Sequence, residues 1–594
     1  MYTDLKNVSI LISLLKQYNI RHLVISAGTR HIPLVFSVEQ DDFFTTYSVV
    51  DERSASFFAL GLIEKLRCPV AVVCTSGTAA CNYVSAVNEA YYQQLPLVVL
   101  TADRNNYYTN QQEEQMVVQP GLYGKAVRRC VNLPVVRDEK DAWYCARLVN
   151  EALLELDHRV SGPVHINFPV EDNYPLKDGI FSFGTDTLPK AVKINRLTAS
   201  DSREKLEKKV RELKDSRVLI FYGQYKPIDD EEKKQIERFV NMFNCVVSVD
   251  LLANMRCSKA IFTYPINSRL TADAMQSLMP DIVITMNAHT VSLLKARLKG
   301  YTGSFRHWHI SRDGEISDPF RAQTDIMEFD NKAFFKAFSD TAEELGAEPD
   351  DSYFRLWSET VASLSSGLRA EECELPFSET YIAQQFIPRI PSGSLLHLAN
   401  SNSVRVANYF MTQEGVEVYC NRGTHGIDGS MSAFIGQSNV CDGLCFLLIG
   451  DLSFFYDMNA LWNRYAGSNV RILVMNNSGG AIFHAPYYRK GEEFKRIDRH
   501  IAAAHCFGAK EWAQAAGFEY LKADDKESLG SALDRLFSES DRPILVEAFT
   551  DKDVDADTMM NLTKSLKQTN ASSKLASKLP QPAKKALKKI LGKG

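Results

Sequence analysis

Two apolar runs in the last third of the chain end in residues that could hold a hard cation. Leu444–Gly450 has the make-up of a buried parallel strand and hands on to Asp451-Leu-Ser453; Arg471–Met475 has the same make-up and hands on to Asn476-Asn-Ser-Gly-Gly480. In a doubly wound sheet such strand ends share one edge, and ligands bind there. The Asp451 carboxylate, an asparagine amide oxygen and backbone carbonyls in the glycine turn are hard oxygen donors, suited to Mg²⁺ that keeps phosphate and water as its other partners. A plainer reading stays open: Asp451 could cap a helix over Asp457–Tyr465, and Asn-Asn-Ser-Gly-Gly could be an ordinary turn.

The first third offers two more junctions. Glu52 follows a strand ending near Val50 and opens a helix whose apolar face carries Ala55, Phe58, Ala59 and Leu62. It is either a first-turn acid favoured by the helix dipole or a carboxylate presented to a ligand. Thr75-Ser-Gly-Thr-Ala-Ala80 lies between the strand Val70–Cys74 and a long helix, so its amides could approach a ligand closely or simply make a tight turn. Other chemistries lack their signatures. Gly121-Leu-Tyr-Gly-Lys125 has the wrong spacing for a nucleotide-binding P-loop, no H-E-x-x-H or G-x-S-x-G occurs, and His307 and His309, an H-x-H on one strand face, are only a weak match to a metal site.

Positioning such residues needs alternating strands and helices, and the chain supplies them throughout. Strands are expected at His22–Ile25, Phe44–Val50, Val70–Cys74, Leu97–Thr101 and Val164–Phe168; at Val218–Tyr222, Cys245–Val249, Ile282–Met286 and Trp308–Ile310; and at Leu395–Ala399, Val416–Cys420, Leu444–Gly450, Arg471–Met475 and Ile544–Ala548. Turn-rich stretches at Glu171–Lys208 and Glu344–Asp351 divide this series. The expected fold is α/β: three doubly wound parallel-sheet domains over residues 1–185, 186–350 and 351–555, then a basic tail over 556–594.

The 594-residue chain has a net charge of -5, which argues against nucleic acid as the main partner. Nine lysines from Lys564 onward meet no acid; without them the body carries about -14, so the tail is electrically a separate object. Leu587, Ile590 and Leu591 could share a face of a short basic helix against an anionic membrane surface, although prolines at 580 and 582 favour a solvated tail. The beginning of the chain lacks the basic flank and cleavage site of a signal peptide. Twelve cysteines stand singly with no C-x-x-C, as expected of a reducing, cytoplasmic protein.

A Gly-Asp pair at 450–451, 24 residues from Ser453 to Asn476 and then Asn477 resembles the thiamine-diphosphate fingerprint. The ordered segments DERSASFFALG, CTSGTAACNY, PLVVLTADR, NSNSVR, NRGTHGIDGS, GDLSFFYDMNAL and NNSGGAIF are more specific. They resemble the menaquinone-pathway family (MenD) that joins 2-oxoglutarate to isochorismate with loss of CO₂, from about residue 5 to 550. The resemblance implies thiamine diphosphate and Mg²⁺ (or Mn²⁺) as cofactors. It makes Glu52 the acid that hydrogen-bonds the cofactor's aminopyrimidine, and Asp451, Asn477 and the Gly479 carbonyl the metal ligands. Ile427, Ser453, Ile482 and Phe483 fall at cofactor-contacting positions. Ser401 and Arg405 match residues holding the distal carboxylate of 2-oxoglutarate; Arg30, Arg104, Gln115 and Arg422 match the polar set around the acceptor.

The resemblance also implies active sites shared between subunits, hence a homodimer at least and plausibly a tetramer. Both substrates are dicarboxylates, which suits arginine forks. Departures fall mostly on the acceptor side: His31 follows Arg30, Asn105–Glu114 replaces a Pro-Pro-Glu loop, and Lys295 is only the nearest counterpart of a central-domain lysine. Leu452 stands where many members have Gly. Two rival readings remain, a thiamine-diphosphate 2-oxoacid decarboxylase or carboligase with another acceptor, and a non-catalytic scaffold of the same fold.

Overall fold

Strands that are apolar along their whole length demand cover on both faces, and helices between them provide it. The computed structural model of the chain describes residues 1–66, 68–158, 161–170, 183–198, 203–287, 290–312, 314–365, 373–423, 425–439, 441–462, 466–484 and 497–565. They fall into two compact units. The first comprises Met1–Leu197 with Gly314–Ile326, the second Thr198–Asp313 with the chain from Met327 onward.

In the first unit six parallel strands lie in the order Thr45–Ser48, His22–Ile25, Val70–Cys74, Leu97–Asp103, Val164–Pro169 and Arg129–Asn132. Counted along the chain this is 2-1-3-4-6-5, so winding reverses between the first and third strands. Every residue of Val70–Cys74 and Leu97–Asp103 is buried. The helix Lys6–Gln17 turns Val8, Leu11, Ile12 and Leu15 inward at helical spacing. Asp138 caps the helix Glu139–Leu153 by accepting from the Asp141 amide. Each such aliphatic side chain contributes about 1.5–3 kcal/mol on burial.

The second unit holds two more parallel sheets. One runs Ala260–Phe262, Cys245–Val249, Val218–Tyr222, Ile282–Met286, Arg306–Ile310. The other runs Glu417–Tyr419, Leu395–Leu398, Cys445–Gly450, Val470–Asn476, Ile544–Phe549, Glu519–Ala523. Its chain order is again 2-1-3-4-6-5, a duplication that no short sequence repeat reveals. Its two faces are filled by separate apolar clusters, one around Leu396, Leu448 and Leu473, the other around Leu447, Ile449 and Ile472.

The fold class is as expected, with three parallel sheets; several details differ. Arg129–Asn132 and Glu519–Ala523 were not anticipated because, as edge strands with a half-exposed pattern, they carry polar residues. The first unit continues past the expected break at 185 to Leu197 and takes back Gly314–Ile326. Residues 556–565, expected to open the tail, complete the helix Lys552–Ser565, with Ala556 and Leu562 buried. The basic tail beyond 565 lies outside the described residues. Among the described residues no helix is long and apolar enough to cross a membrane.

Candidate functional site

Strand ends at the winding reversal of each sheet collect the candidate residues. In the first unit, the loop after His22–Ile25 carries Arg30, whose amide donates to Thr75 Oγ1 (3.3 Å) in the turn after Val70–Cys74. Glu52 begins the helix Glu52–Leu66 and is half-buried. With Thr75, Gly77, Asn82 and Gln115 it lines a cavity of about 510 Å³. Gly77 has φ +87°, and a Cβ there would stand 3.0 Å from the Gln115 carbonyl oxygen, so the two loops meet only because glycine occupies 77. Arg104 follows Leu97–Asp103; its amide donates to Asp103 (2.8 Å) and its guanidinium lies 3.9 Å from Glu113, which lines the same cavity. Glu52 and Gln115 thus line one cavity, while Arg30 and Arg104 each meet a residue of its wall.

Behind them lies a buried amide network that sequence reasoning missed. Gln119 accepts from the Gly77 amide (2.8 Å) and donates to the Ala102 carbonyl (3.1 Å) and to Asn167 (2.8 Å). Asn167 donates in turn to Asp103 (2.9 Å). The clue was two polar residues, His165 and Asn167, alternating within an otherwise apolar strand. His31, the acceptor-side departure that follows Arg30, is 2% exposed, and burial lowers its pKa to about 4. It packs inward as a neutral imidazole.

In the second unit, parallel pairing sets Gly450 opposite Met475 and brings Asp451 beside the asparagine turn. The helix begins at Asp451 itself, spanning Asp451–Tyr456, and the expected helix over Asp457–Tyr465 is instead a 3-10 segment at Met458–Trp462. Asp451 therefore does not cap a later helix. It is buried, and accepts from the amides of Leu452 (2.6 Å) and Gly479 (2.9 Å) and from His505 Nε2 (3.2 Å). The Phe507 amide donates to His505 Nδ1 (3.1 Å), which fixes the proton on Nε2. Gly479 has φ +150°, and a Cβ there would come 2.9 Å from the Ala502 carbonyl oxygen.

Asn477 is 4% exposed. Its Nδ2 donates to Glu379 Oε1 (2.9 Å) and Asp555 Oδ2 (3.0 Å), which leaves Oδ1 buried without a partner. Burial and the nearby Asp555 raise the Glu379 carboxyl well above the usual range; burial pushes Asp555 up to about 6. None of Asp451, Glu379 and Asp555 has a lysine or arginine partner among the described residues. A partnerless amide oxygen beside a buried, cation-poor carboxylate set fits a hard divalent ion such as Mg²⁺.

The rest of the second set surrounds the same sheet edge. Ser401 precedes the helix Asn402–Ala407 with φ 68° and ψ -128°, a region nearly restricted to glycine and costing about 1–3 kcal/mol, as strained residues at ligand sites often do. Arg405 Nη1 and Arg422 Nε are buried without partners, while Arg422 Nη1 donates to Asn400 (3.1 Å). Burial, with Arg405 adding to it against Cys420 and Asp250, lowers the Arg422 guanidinium. Tyr264, not anticipated, sits close enough to feel both arginines; burial pushes it up to about 12 while they pull it down. Two such guanidiniums with unspent N–H groups suit an organic dianion.

Asn400 also holds the Asn421 and Gly426 carbonyls (both 2.7 Å), fixing the segment before Ile427. Thr424 lies outside the described residues. Ser453 Oγ donates to the Ile427 carbonyl, so this hydroxyl supports the chain rather than standing free. Ile482 and Phe483 are half-buried in the 3-10 turn Ala481–His484. His484 anchors that turn through Asp498 (2.7 Å) and Asp553 (2.8 Å). Lys295 lies on Leu294–Leu298, its ammonium lowered by burial and then by Lys299. His307 and His309 share the Thr285 hydroxyl (both 2.8 Å).

Residues 6–122 match the family described as "Thiamine pyrophosphate enzyme, N-terminal TPP binding domain". A 2-succinyl-5-enolpyruvyl-6-hydroxy-3-cyclohexene-1-carboxylate synthase of Bacteroides fragilis is 38% identical over 572 residues, 94% of this chain and 98% of the relative. The chain belongs to the 2-succinyl-5-enolpyruvyl-6-hydroxy-3-cyclohexene-1-carboxylate synthase family. Synthases of the same name from Phocaeicola vulgatus (37% identical; 96% of this chain, 100% of the relative) and Bacteroides thetaiotaomicron (36%; 96% and 100%) agree. Membership makes the chain a thiamine-diphosphate-dependent, C–C bond-forming synthase.

Proposed function

We propose that this enzyme takes 2-oxoglutarate, releases CO₂ and joins the remaining four-carbon unit to isochorismate, giving 2-succinyl-5-enolpyruvyl-6-hydroxy-3-cyclohexene-1-carboxylate for menaquinone synthesis. Similarity to synthases of that name over nearly the whole chain carries the reading. Thiamine diphosphate, when bound, supplies the carbon nucleophile on which the decarboxylation and transfer take place.

This chain's own residues do the rest. Asp451, the Asn477 amide oxygen and the Gly479 carbonyl would hold Mg²⁺ (Mn²⁺ in its place), which would supply the positive charge for the cofactor's diphosphate. Glu52 holds a proton at the cofactor's pyrimidine ring and so controls its activation. Ile427, Ile482 and Phe483 give the cofactor apolar support, and Ser453 acts through the Ile427 carbonyl. Ser401 and Arg405 bind the distal carboxylate of 2-oxoglutarate; Arg30, Arg104, Gln115 and Arg422 orient the acceptor and the growing product. The proposal includes a homodimer or homotetramer with shared sites and a cytoplasmic home, supported by the family resemblance and by unpaired cysteines. Contact of the basic tail with a membrane surface is a further part of it.

The test is mass spectrometry of the product from 2-oxoglutarate with and without isochorismate. An adduct of the expected mass supports the reading, while CO₂ release with no adduct would hand the enzyme to the rival with another acceptor. Glu52→Gln should still bind the cofactor yet slow hydrogen–deuterium exchange at its reactive carbon by about 10²-fold or more; unchanged exchange would remove Glu52 from the mechanism.

A further inference from the structure

The geometry points to Glu379 as a positioning residue that joins the metal ligand Asn477 to the helix carrying the donor-site residues, with Asp555 as its aid. This rests on the metal and donor assignments proposed above.

An asparagine amide has two N–H donors on one side and an acceptor oxygen on the other, and the two ends are told apart only by what surrounds them. At Asn477 the surroundings are unambiguous. Glu379 Oε1 and Asp555 Oδ2 both face Nδ2, at 2.9 and 3.0 Å. Turning the amide over would set its oxygen against two buried carboxyls and forfeit both of these hydrogen bonds. The oxygen is therefore held away from the acids, buried and uncommitted, as a ligand to a cation must be. Asp555 is itself fixed: Oδ1 accepts from the Glu379 amide (2.8 Å) and Oδ2 from the Thr550 hydroxyl (2.7 Å).

Glu379 does one thing more. Its second oxygen, Oε2, accepts from Asn402 Nδ2 (2.9 Å). Asn402 is the first residue of Asn402–Ala407, directly after strained Ser401 and one helical turn before Arg405. One carboxyl group thus bridges the amide that faces the metal and the helix that presents the donor-carboxylate residues. Asp555 reaches only the first of these. The two acids therefore have separable signatures.

The experiment titrates Mn²⁺ into the full-length protein with excess thiamine diphosphate, reading free Mn²⁺ by electron paramagnetic resonance, and separately measures KM for 2-oxoglutarate at saturating metal. Asp555→Asn and Glu379→Gln should each weaken Mn²⁺ binding about 10- to 100-fold. Only Glu379→Gln should also raise KM, about 5-fold or more, with kcat changed less. Should Glu379→Gln fail to fold, Asn402→Ala replaces it and should raise KM with Mn²⁺ affinity kept. Wild-type Mn²⁺ affinity in Glu379→Gln and Asp555→Asn, against a clear loss in Asp451→Asn, would overturn the inference alone. Equal rises in KM for Asp555→Asn and Glu379→Gln would overturn the bridging role. No loss of Mn²⁺ in Asp451→Asn would sink the metal assignment and this inference with it.

Discussion

Gly479→Ala gives the sharpest test of how the metal turn is built. The position has φ +150°, where an L side chain is strained by about 1–3 kcal/mol. The added Cβ would lie 2.9 Å from the Ala502 carbonyl oxygen and 3.3 Å from Ala504 Cα. Both are backbone atoms, and their segment is tied down: the Gly480 amide donates to Ala502 (2.7 Å) and the His505 amide to Ser478 (3.1 Å). Segment and turn are laced to each other, so relief of the clash distorts the turn as well. Movement draws the Gly479 amide from Asp451 Oδ2, now 2.9 Å away, and a hydrogen bond to a charged group is worth about 1.5–3 kcal/mol. Taking the strain with even part of that bond gives about 2–5 kcal/mol against the loaded site, at least about 30-fold weaker binding of thiamine diphosphate. Isothermal titration calorimetry at fixed excess Mg²⁺ measures it. Gly517→Ala is the control, since Gly517 has φ +86° but nothing within 4 Å of its Cβ, so that variant carries strain without a clash. If Gly479→Ala binds the cofactor like wild type, within about twofold, the packing argument at this turn is wrong.

Arg405 and His397 carry two further expected outcomes. Arg405→Met removes a guanidinium with a buried, unspent N–H, and should lower kcat/KM for 2-oxoglutarate about 10- to 100-fold, the worth of a charge-assisted hydrogen bond; steady-state CO₂ release reads it, and an unchanged ratio would take Arg405 out of the donor site. His397 is 1% exposed, and burial, opposed by its hydrogen bond to Gln437, lowers its pKa to about 4. The folded chain refuses a proton that the unfolded chain takes below about 6.5, so this group's stability is full above that pH and drains away toward about 4. Between about pH 7.5 and about pH 5.5, wild type should lose about 1.4 kcal/mol more than His397→Gln in chemical denaturation. Parallel losses in the two proteins would contradict the buried neutral state.

How much of this was legible before folding depends on what each residue resembles in sequence. Val70–Cys74 announced itself because a strand buried on both faces has no polar positions to dilute it, and Cys245–Val249 and Ile282–Met286 are each diluted by a single hydroxyl. Asp451 and Asn477 were legible for the same reason, each standing at the end of such a run. Glu379 and Asp555 were not. Glu379 follows the cap Ser378 and Asp555 lies in the first turn of Lys552–Ser565, so both look like acids placed there by a helix dipole. Glu52 wears the same disguise and was noticed only because of the segments around it. Gln119 was hidden differently, since an amide in a loop usually faces water and only its partners show that this one does not.

The shared 2-1-3-4-6-5 winding has a consequence for change over time. Each copy of the layout offers one rim of loops, and every loop on a rim hangs from a strand whose neighbours are fixed by backbone pairing alone. Rims of this kind can be rewritten independently. The first carries an inward-turned His31 and the loop Asn105–Glu114, the second its acid, amide and glycine. A lineage can thus edit the loops of one rim while the acid, amide and glycine of the other stay in place.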